Sequence, residues 1–183
     1  MITALLIACK NQKQSTRGPV RHEKQKVDMQ SVHDNINLNK REETYIKQMI
    51  QNDSLHTYHN SGHGFWYYYI KQNDTATYKP LEGDKVVLTY EIKDLSNNLI
   101  YSFNEIGQKT YWVDHENYFR GFRTAVKLLK EGEQAVFLLP SNAGYGYHGD
   151  ENKIGTNIPL KLNLKIIKIK KQEKQKNKNY EKN

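Results

Sequence analysis

The sequence predicts an α+β fold: a twisted antiparallel β-sheet wrapped over one short α-helix, with an extra N-terminal helix and disordered tails. Three observations predict it. Between residues 65 and 166 several segments alternate apolar and polar side chains, the period of a half-buried strand. In their midst Phe119, Phe122, Val126 and Leu129 recur at helical spacing, and Gly132 follows as a stop. A hydrophobic fraction of 37% over 183 residues leaves a modest core with long polar segments attached.

The chain opens MITALLIACKNQK, and its apolar run ends in Leu6-Ile7-Ala8-Cys9. Everything after Cys9 turns abruptly polar. The pattern resembles a bacterial lipobox, in which a small residue lets a peptidase reach the bond before a cysteine whose thiol accepts a diacylglycerol. The expectation is a lipid-modified Cys9, with residues 1–9 as a truncated lipoprotein signal. The run is short for a signal peptide and lacks a basic segment before it, so a start codon upstream is expected. Several acyl chains on one residue anchor firmly where one alone is marginal. The expected location is the bacterial cell envelope, as a membrane-anchored lipoprotein on the periplasmic side or the surface. Cys9 is the only cysteine, which leaves no intrachain disulfide or cysteine-rich metal site.

Residues 10–39 are rich in Lys, Gln, Asn, Ser and His without apolar periodicity, and read as a flexible tether. As a coil it spans about 30 Å r.m.s., enough to hold a domain clear of a membrane. Residues 40–63 read as a helix and a turn. Asn39 is the expected N-cap, Glu42 reaches back to it, and Tyr45, Ile46, Met49 and Ile50 form one apolar face. A single stripe of that kind predicts docking against the domain. His56, His59 and His63 are set among Asn60-Ser61-Gly62 and Gly64, which read as turn, so no metal site is expected there.

Residues 64–171 form the body. Phe65–Ile70 is an aromatic strand signal. Val86, Leu88, Tyr90 and Ile92 alternate with Val87, Thr89 and Glu91, and Ser96-Asn97-Asn98 marks a turn. Leu99–Phe103 and Thr110–Val113 are shorter strand candidates. Ala135, Phe137 and Leu139 alternate in the next strand. Leu160, Leu162, Leu164 and Ile166 alternate in the last. Residues 172–183 read as a disordered basic tail. Lys165–Asn183 holds eight Lys and two Glu, a net +6 out of the chain's +8. Charge gathered in a tail, not on a folded face with aromatics between, argues against a nucleic-acid partner.

The ordered motifs of the body resemble those of FKBP-type peptidyl-prolyl cis-trans isomerases. The family's "VxVxYxGxLxDGxxFDSS" is matched by Val86-Val87-Leu88-Thr89-Tyr90 through Ser102, and its "VIxGW" by Tyr118-Phe119-Arg120-Gly121-Phe122. Its "MxxGE" is matched by Leu129-Lys130-Glu131-Gly132-Glu133, and its "IPxxxAYGxxG" by Leu139-Pro140 through Tyr145 to Gly149. A weakened "IPPNAxLxFxVEL" follows from Ile154 to Leu162. With Cys9, the polar tether and Gly62–Tyr69, the whole resembles the gliding-motility-associated FKBP-type lipoproteins.

That resemblance implies isomerisation of X-Pro bonds, a reaction that needs no cofactor and no metal. It implies catalytic roles for Tyr145, Phe119 and Phe122, and a proline pocket that includes Tyr90, Tyr111, Tyr118, Leu162 and Ile154. The Tyr145 phenol and the Phe119 backbone N–H are the implied hydrogen-bond donors. The implied partners are proline-containing polypeptides, a membrane reached through the lipid anchor, and proteins of a motility or secretion apparatus. Departures from the pattern are specific. Phe122 stands for the family's Trp, Tyr101 for its Asp, Ile100 for the Phe before that Asp, Leu162 for the Phe of the last strand, and Gly155-Thr156 for its double proline. They leave two readings open: a working isomerase, or a catalytically silent chaperone or assembly subunit.

Overall fold

The computed structural model describes residues 29–173. In chain order, α1 (Met29–Asn52) is followed by β1 (His59–Asn60), β2 (Trp66–Lys71), β3 (Lys85–Asp94), β4 (Leu99–Tyr101), α2 (Phe103–Ile106), β5 (Lys109–Trp112), α3 (Arg120–Leu128), β6 (Gln134–Leu139) and β7 (Leu160–Lys170). The strands form one antiparallel sheet in the order β1-β2-β6-β7-β3-β4, with β5 sharing the outer edge of β3.

The segments with the most regular alternation make the longest ladder. β3 pairs with β7 from Lys85↔Lys170 to Asp94↔Leu160, with one register shift between Val87 and Leu88. The outer edge of β3 is divided. Its first half pairs with β5 and its second half with β4. Between them the Thr89 hydroxyl donates to the Gly107 carbonyl, 2.8 Å away. The β3–β4 turn falls where Ser96-Asn97-Asn98 was expected. Asn97 takes a φ of 70°, and the Asp94 carboxylate accepts from both the backbone N–H and the side-chain amide of Asn98. The expected strand Leu99–Phe103 stops at Tyr101. Ser102 then caps α2, its hydroxyl accepting from the Glu105 N–H, so Phe103 begins a helix.

Period two assigns each strand residue to a face. Val86, Leu88, Tyr90 and Ile92 from β3, Ala135, Phe137 and Leu139 from β6, and Leu160, Leu162, Leu164 and Ile166 from β7 share one core with Phe122, Ala125, Val126 and Leu129 of the α3 segment. A second core lies on the opposite face. There Val136 and Leu138 of β6 meet Ile46 of α1 and Leu95, with Met49, Ile50, Tyr58, Trp66 and Tyr68 packed around them. β6 is therefore buried on both faces, which is why its sequence QAVFLL is almost continuously apolar.

The N-terminal expectations need correction. The tether does not extend to residue 39. Met29–Asn39 is helical and continuous with the docked segment, so Asn39 lies inside α1 and caps nothing. Met29, Val32 and Ile36 do recur at helical spacing, but this half is not packed and all three stay exposed among polar residues, so the signal was weak. Docking of Ile46 fixes the C-terminal turns, and a helix once nucleated propagates at little further cost. Of the expected apolar stripe Ile46, Met49 and Ile50 are buried or half-buried, but Tyr45 is exposed. Glu42 does not reach back to a cap; it turns inward. The sheet also begins before residue 64, since His59 and Asn60 pair with Tyr67 and Trp66. At the other end, Gln172 is held by its N–H donating to buried Asp84, 2.8 Å away. Cys9, residues 10–28 of the tether and residues 174–183 of the tail lie outside the described residues.

Candidate functional site

The α3 face of the sheet carries a cluster of aromatic rings around Phe122. Phe122 is fully buried, with ring centroids 4.3 Å from Tyr118 (stacked), 5.2 Å from Tyr90, 5.4 Å from Tyr111 and 5.8 Å from Phe119. Tyr145 continues the cluster, its ring 4.7 Å from Phe119. The elements explain the convergence. Tyr90 is an inward residue of β3, Phe119 is the N-cap of α3 with Phe122 one turn on, and Tyr145 rides on the loop after β6.

All eight expected pocket residues fall in this one cluster or its packed margin. They sort into two tiers. Phe122, Leu162, Tyr111 and Ile154 are buried and form a floor. Tyr118, Phe119 and Tyr145 are half-buried and form walls, and Tyr90 joins the tiers at 6% exposure. Tyr111 belongs to the support. Its hydroxyl accepts from the Asp114 N–H, 3.2 Å away, and its ring meets Tyr118 and Phe122 edge-on. Phe122 fills its place among four rings, so the smaller ring at this position is matched by close-packed neighbours.

The polar atoms of the walls are the chemically informative ones. Among the described residues, the hydroxyls of Tyr90, Tyr118 and Tyr145 and the backbone N–H of Phe119 make no hydrogen bond. The three hydroxyls reach solvent, since the buried side-chain polar atom left unpaired among the described residues is Arg123 Nε, and they are open to exchange water for a ligand. Burial pushes the Tyr145 phenol up to about 12, with the Asp150 carboxylate and the Tyr101 and Tyr118 phenols adding to the effect. Tyr145 therefore stays protonated, a donor, throughout the physiological range. Burial likewise raises Tyr90 and Tyr118.

Tyr101 stands at the rim, packed against the core. Its hydroxyl donates to Asp150, and Asn152 donates a side-chain amide back to that hydroxyl at 3.1 Å. Asp150 also accepts from the N–H groups of Ile154 (2.7 Å) and Asn152 (3.0 Å). Burial works against its charge, but the hydrogen bonds from Tyr101, Ile154 and Asn152 outweigh it and hold the carboxyl below its ordinary range. Sequence reasoning marked Tyr101 as the loss of a carboxylate. The structure shows one arriving from another loop, forty-nine residues on. Asp150 followed by N–H donors two and four residues later was the available signal, an Asx-type turn.

Half-buried rings whose hydroxyls hold no hydrogen bond among the described residues suit a compact apolar group flanked by amide carbonyls. The family profile described as FKBP-type peptidyl-prolyl cis-trans isomerase matches residues 76–167, and the chain belongs to that family. It is 28% identical over 127 residues to a protein of Neisseria meningitidis serogroup B named as a probable FKBP-type peptidyl-prolyl cis-trans isomerase, FkpA; the match covers 69% of this chain and 44% of that protein. In fold it is similar to FkpA from Escherichia coli (TM-score 0.60, 16% identity, 78% of this chain and 64% of that one). It is also similar to a peptidyl-prolyl cis-trans isomerase from Pseudomonas syringae pv. tomato (TM-score 0.59, 17% identity, 74% of this chain and 95% of that one). The chain thus spans less than half the length of the Neisseria relative.

Proposed function

We propose that the chain catalyses cis-trans isomerisation of X-Pro peptide bonds. The observation that carries the reading is the pair of unpaired donors, the Tyr145 hydroxyl and the Phe119 N–H, beside the fully buried ring of Phe122. Rotation about a peptide bond must surrender amide resonance, a barrier of about 18–20 kcal/mol. In the twisted amide the carbonyl and the nitrogen are decoupled. A site accelerates the rotation by holding that twisted form more tightly than either planar isomer. Here the pyrrolidine ring of proline enters the recess over Phe122 and Leu162, where the walls exclude water. Phe119 and Tyr145 then donate to carbonyls of the peptide on either side of the rotating bond. Fixed donors in a dry site need no reorganisation as the amide twists. No proton changes hands, so the high pKa of Tyr145 suits the task.

Purified protein should accelerate isomerisation of a proline peptide above the uncatalysed rate. Tyr145→Phe removes one donor and keeps the ring, so kcat/KM should fall about threefold to tenfold while thermal stability holds, the loss of one hydrogen bond expressed as rate. Wild-type protein that binds proline peptides without accelerating them would establish the second reading, a silent chaperone or assembly subunit. That reading is favoured by Tyr101, whose hydroxyl is already engaged by Asp150 and Asn152.

The proposed setting is the bacterial envelope, with Cys9 lipidated and the domain acting on envelope or motility-machinery proteins. The supports are Leu6-Ile7-Ala8-Cys9, the polar stretch after it and the resemblance to gliding-motility lipoproteins. Mass spectrometry of the native protein tests it: an acylated N-terminal Cys9 is expected, and a mature chain retaining Met1–Ala8 overturns it.

A further inference from the structure

We propose that Glu42 is a positioning residue for the Tyr145 loop, so that α1, which lies outside the segment matched by the family, sets the geometry of the pocket from the opposite face of the sheet. The proposal rests on the isomerase reading for its rate effects and on geometry alone for its structural ones.

Glu42 is 8% exposed, an expensive place for a carboxylate unless a strong donor meets it. Its partner is the backbone N–H of Ser141, 2.8 Å away and ninety-nine residues distant in sequence. Ser141 is itself only 1% exposed, and it follows Pro140, which has no N–H. The Ser141 N–H is therefore the first donor the chain offers after β6, and Glu42 is the acceptor it finds. A bond to a charged acceptor is roughly twice as strong as one between neutral groups.

From Ser141 the hydrogen bonds lead directly to the catalytic walls. The Ser141 carbonyl accepts from the N–H groups of Gly144 (3.0 Å) and Gly146 (2.9 Å), the two residues that flank Tyr145. The Ala143 carbonyl accepts from the Gly121 N–H at 2.7 Å, which ties the same loop to the first turn of α3, two residues after Phe119. The bonds from α1 through Ser141 thus fix the residues on both sides of Tyr145, and the loop they hold is tied to α3 close to Phe119. Docking of α1 does not require it, since Ile46, Met49 and Ile50 already seat the helix on Val136 and Leu138.

Backbone amide exchange and isomerisation kinetics on the full chain test the assignment. Glu42→Ala should speed exchange at Ser141, Gly144 and Gly146 and lower kcat/KM about threefold to tenfold, the rate equivalent of one hydrogen bond. Glu42→Gln retains a carbonyl acceptor and should restore most of both. Glu43→Ala, at a half-buried neighbour whose carboxylate pairs with Lys47 and not with Ser141, should leave both unchanged. In a Tyr145→Phe background, Glu42→Ala should cost little more, because the donor it positions is gone. An equal loss in both backgrounds would reveal mere destabilisation and overturn the proposal, as would unchanged exchange at Gly144 and Gly146. A wild-type protein without catalysis would overturn the isomerase reading, and the exchange data would still decide the role of Glu42.

Discussion

Ala135, Phe137 and Leu139 face α3 and the pocket, while Val136 and Leu138, interleaved with them on the same strand, face α1. The two faces differ in what they do with polar atoms. Beneath α1 the Asp53 and Glu42 carboxylates find donors, although the Tyr68 hydroxyl and the Trp66 indole N–H make no hydrogen bond among the described residues. The Tyr58 hydroxyl donates to Asp53 at 2.9 Å, and Glu42 accepts from Ser141. Under α3 the surroundings are as apolar, yet the hydroxyls of Tyr90, Tyr118 and Tyr145 are left without hydrogen bonds among the described residues. Hydroxyls set among rings and free of protein partners can meet the carbonyls of a ligand, and the Glu42–Ser141 bond ties the α1 face to the loop that carries Tyr145.

The largest effect should come from Phe122→Ala. It empties a fully buried ring site and should cost about 3–5 kcal/mol of stability, with catalysis lost in whatever remains folded. Leu138→Ala, at 1% exposure on the other face, should cost about 2–5 kcal/mol of stability while the folded fraction keeps its kcat/KM. Urea titration with activity measured at each point separates the two. If Leu138→Ala reduces kcat/KM as much as it reduces stability, the faces are not distinct.

Gly121→Ala sharpens the link between α3 and the Tyr145 loop. Alanine normally favours a helix interior by about 1 kcal/mol over glycine. Here the added Cβ would stand 2.7 Å from the Ala143 carbonyl and 3.0 Å from a Leu139 methyl. Backbone must shift, so the variant should be less stable by about 1–3 kcal/mol, a typical overpacking cost. A stabilised variant would show that the loop moves freely.

The smallest effect belongs to the α1 face. A hydrogen bond from His56, then those from the Leu55 N–H and Tyr58, lower the Asp53 carboxyl from 3.8 to about 2. A depressed folded-state pKa gives stability that is present above 3.8 and lost as pH falls through about 2. Asp53→Asn should therefore be slightly less stable than wild type near neutral pH, with the difference closing over that acid window. A gap in urea midpoints that stays constant down to pH 2 would contradict the assignment.

Where side chains obey a short period and are packed, the sequence was legible. The alternation of β3 and β7 and the helical spacing of Phe119, Phe122, Val126 and Leu129 predicted elements the structure contains, because burial of one face selects such patterns. The pocket was legible as a set only through resemblance, since each aromatic by itself reads equally well as core. The first half of α1 was overlooked: Met29, Val32 and Ile36 recur at helical spacing, but they are exposed and stand among polar residues, so no packed face marked them out.

By itself, then, the sequence determined the sheet, the helix across it and the aromatic composition of the pocket, all consequences of local periodicity and family motifs. Only the tertiary structure decided which hydroxyls remain unpaired, that Asp150 meets Tyr101, and that Glu42 holds Ser141. These pairings join residues forty-nine and ninety-nine positions apart, and no local pattern encodes which distant N–H or hydroxyl a carboxylate will meet once the chain has closed.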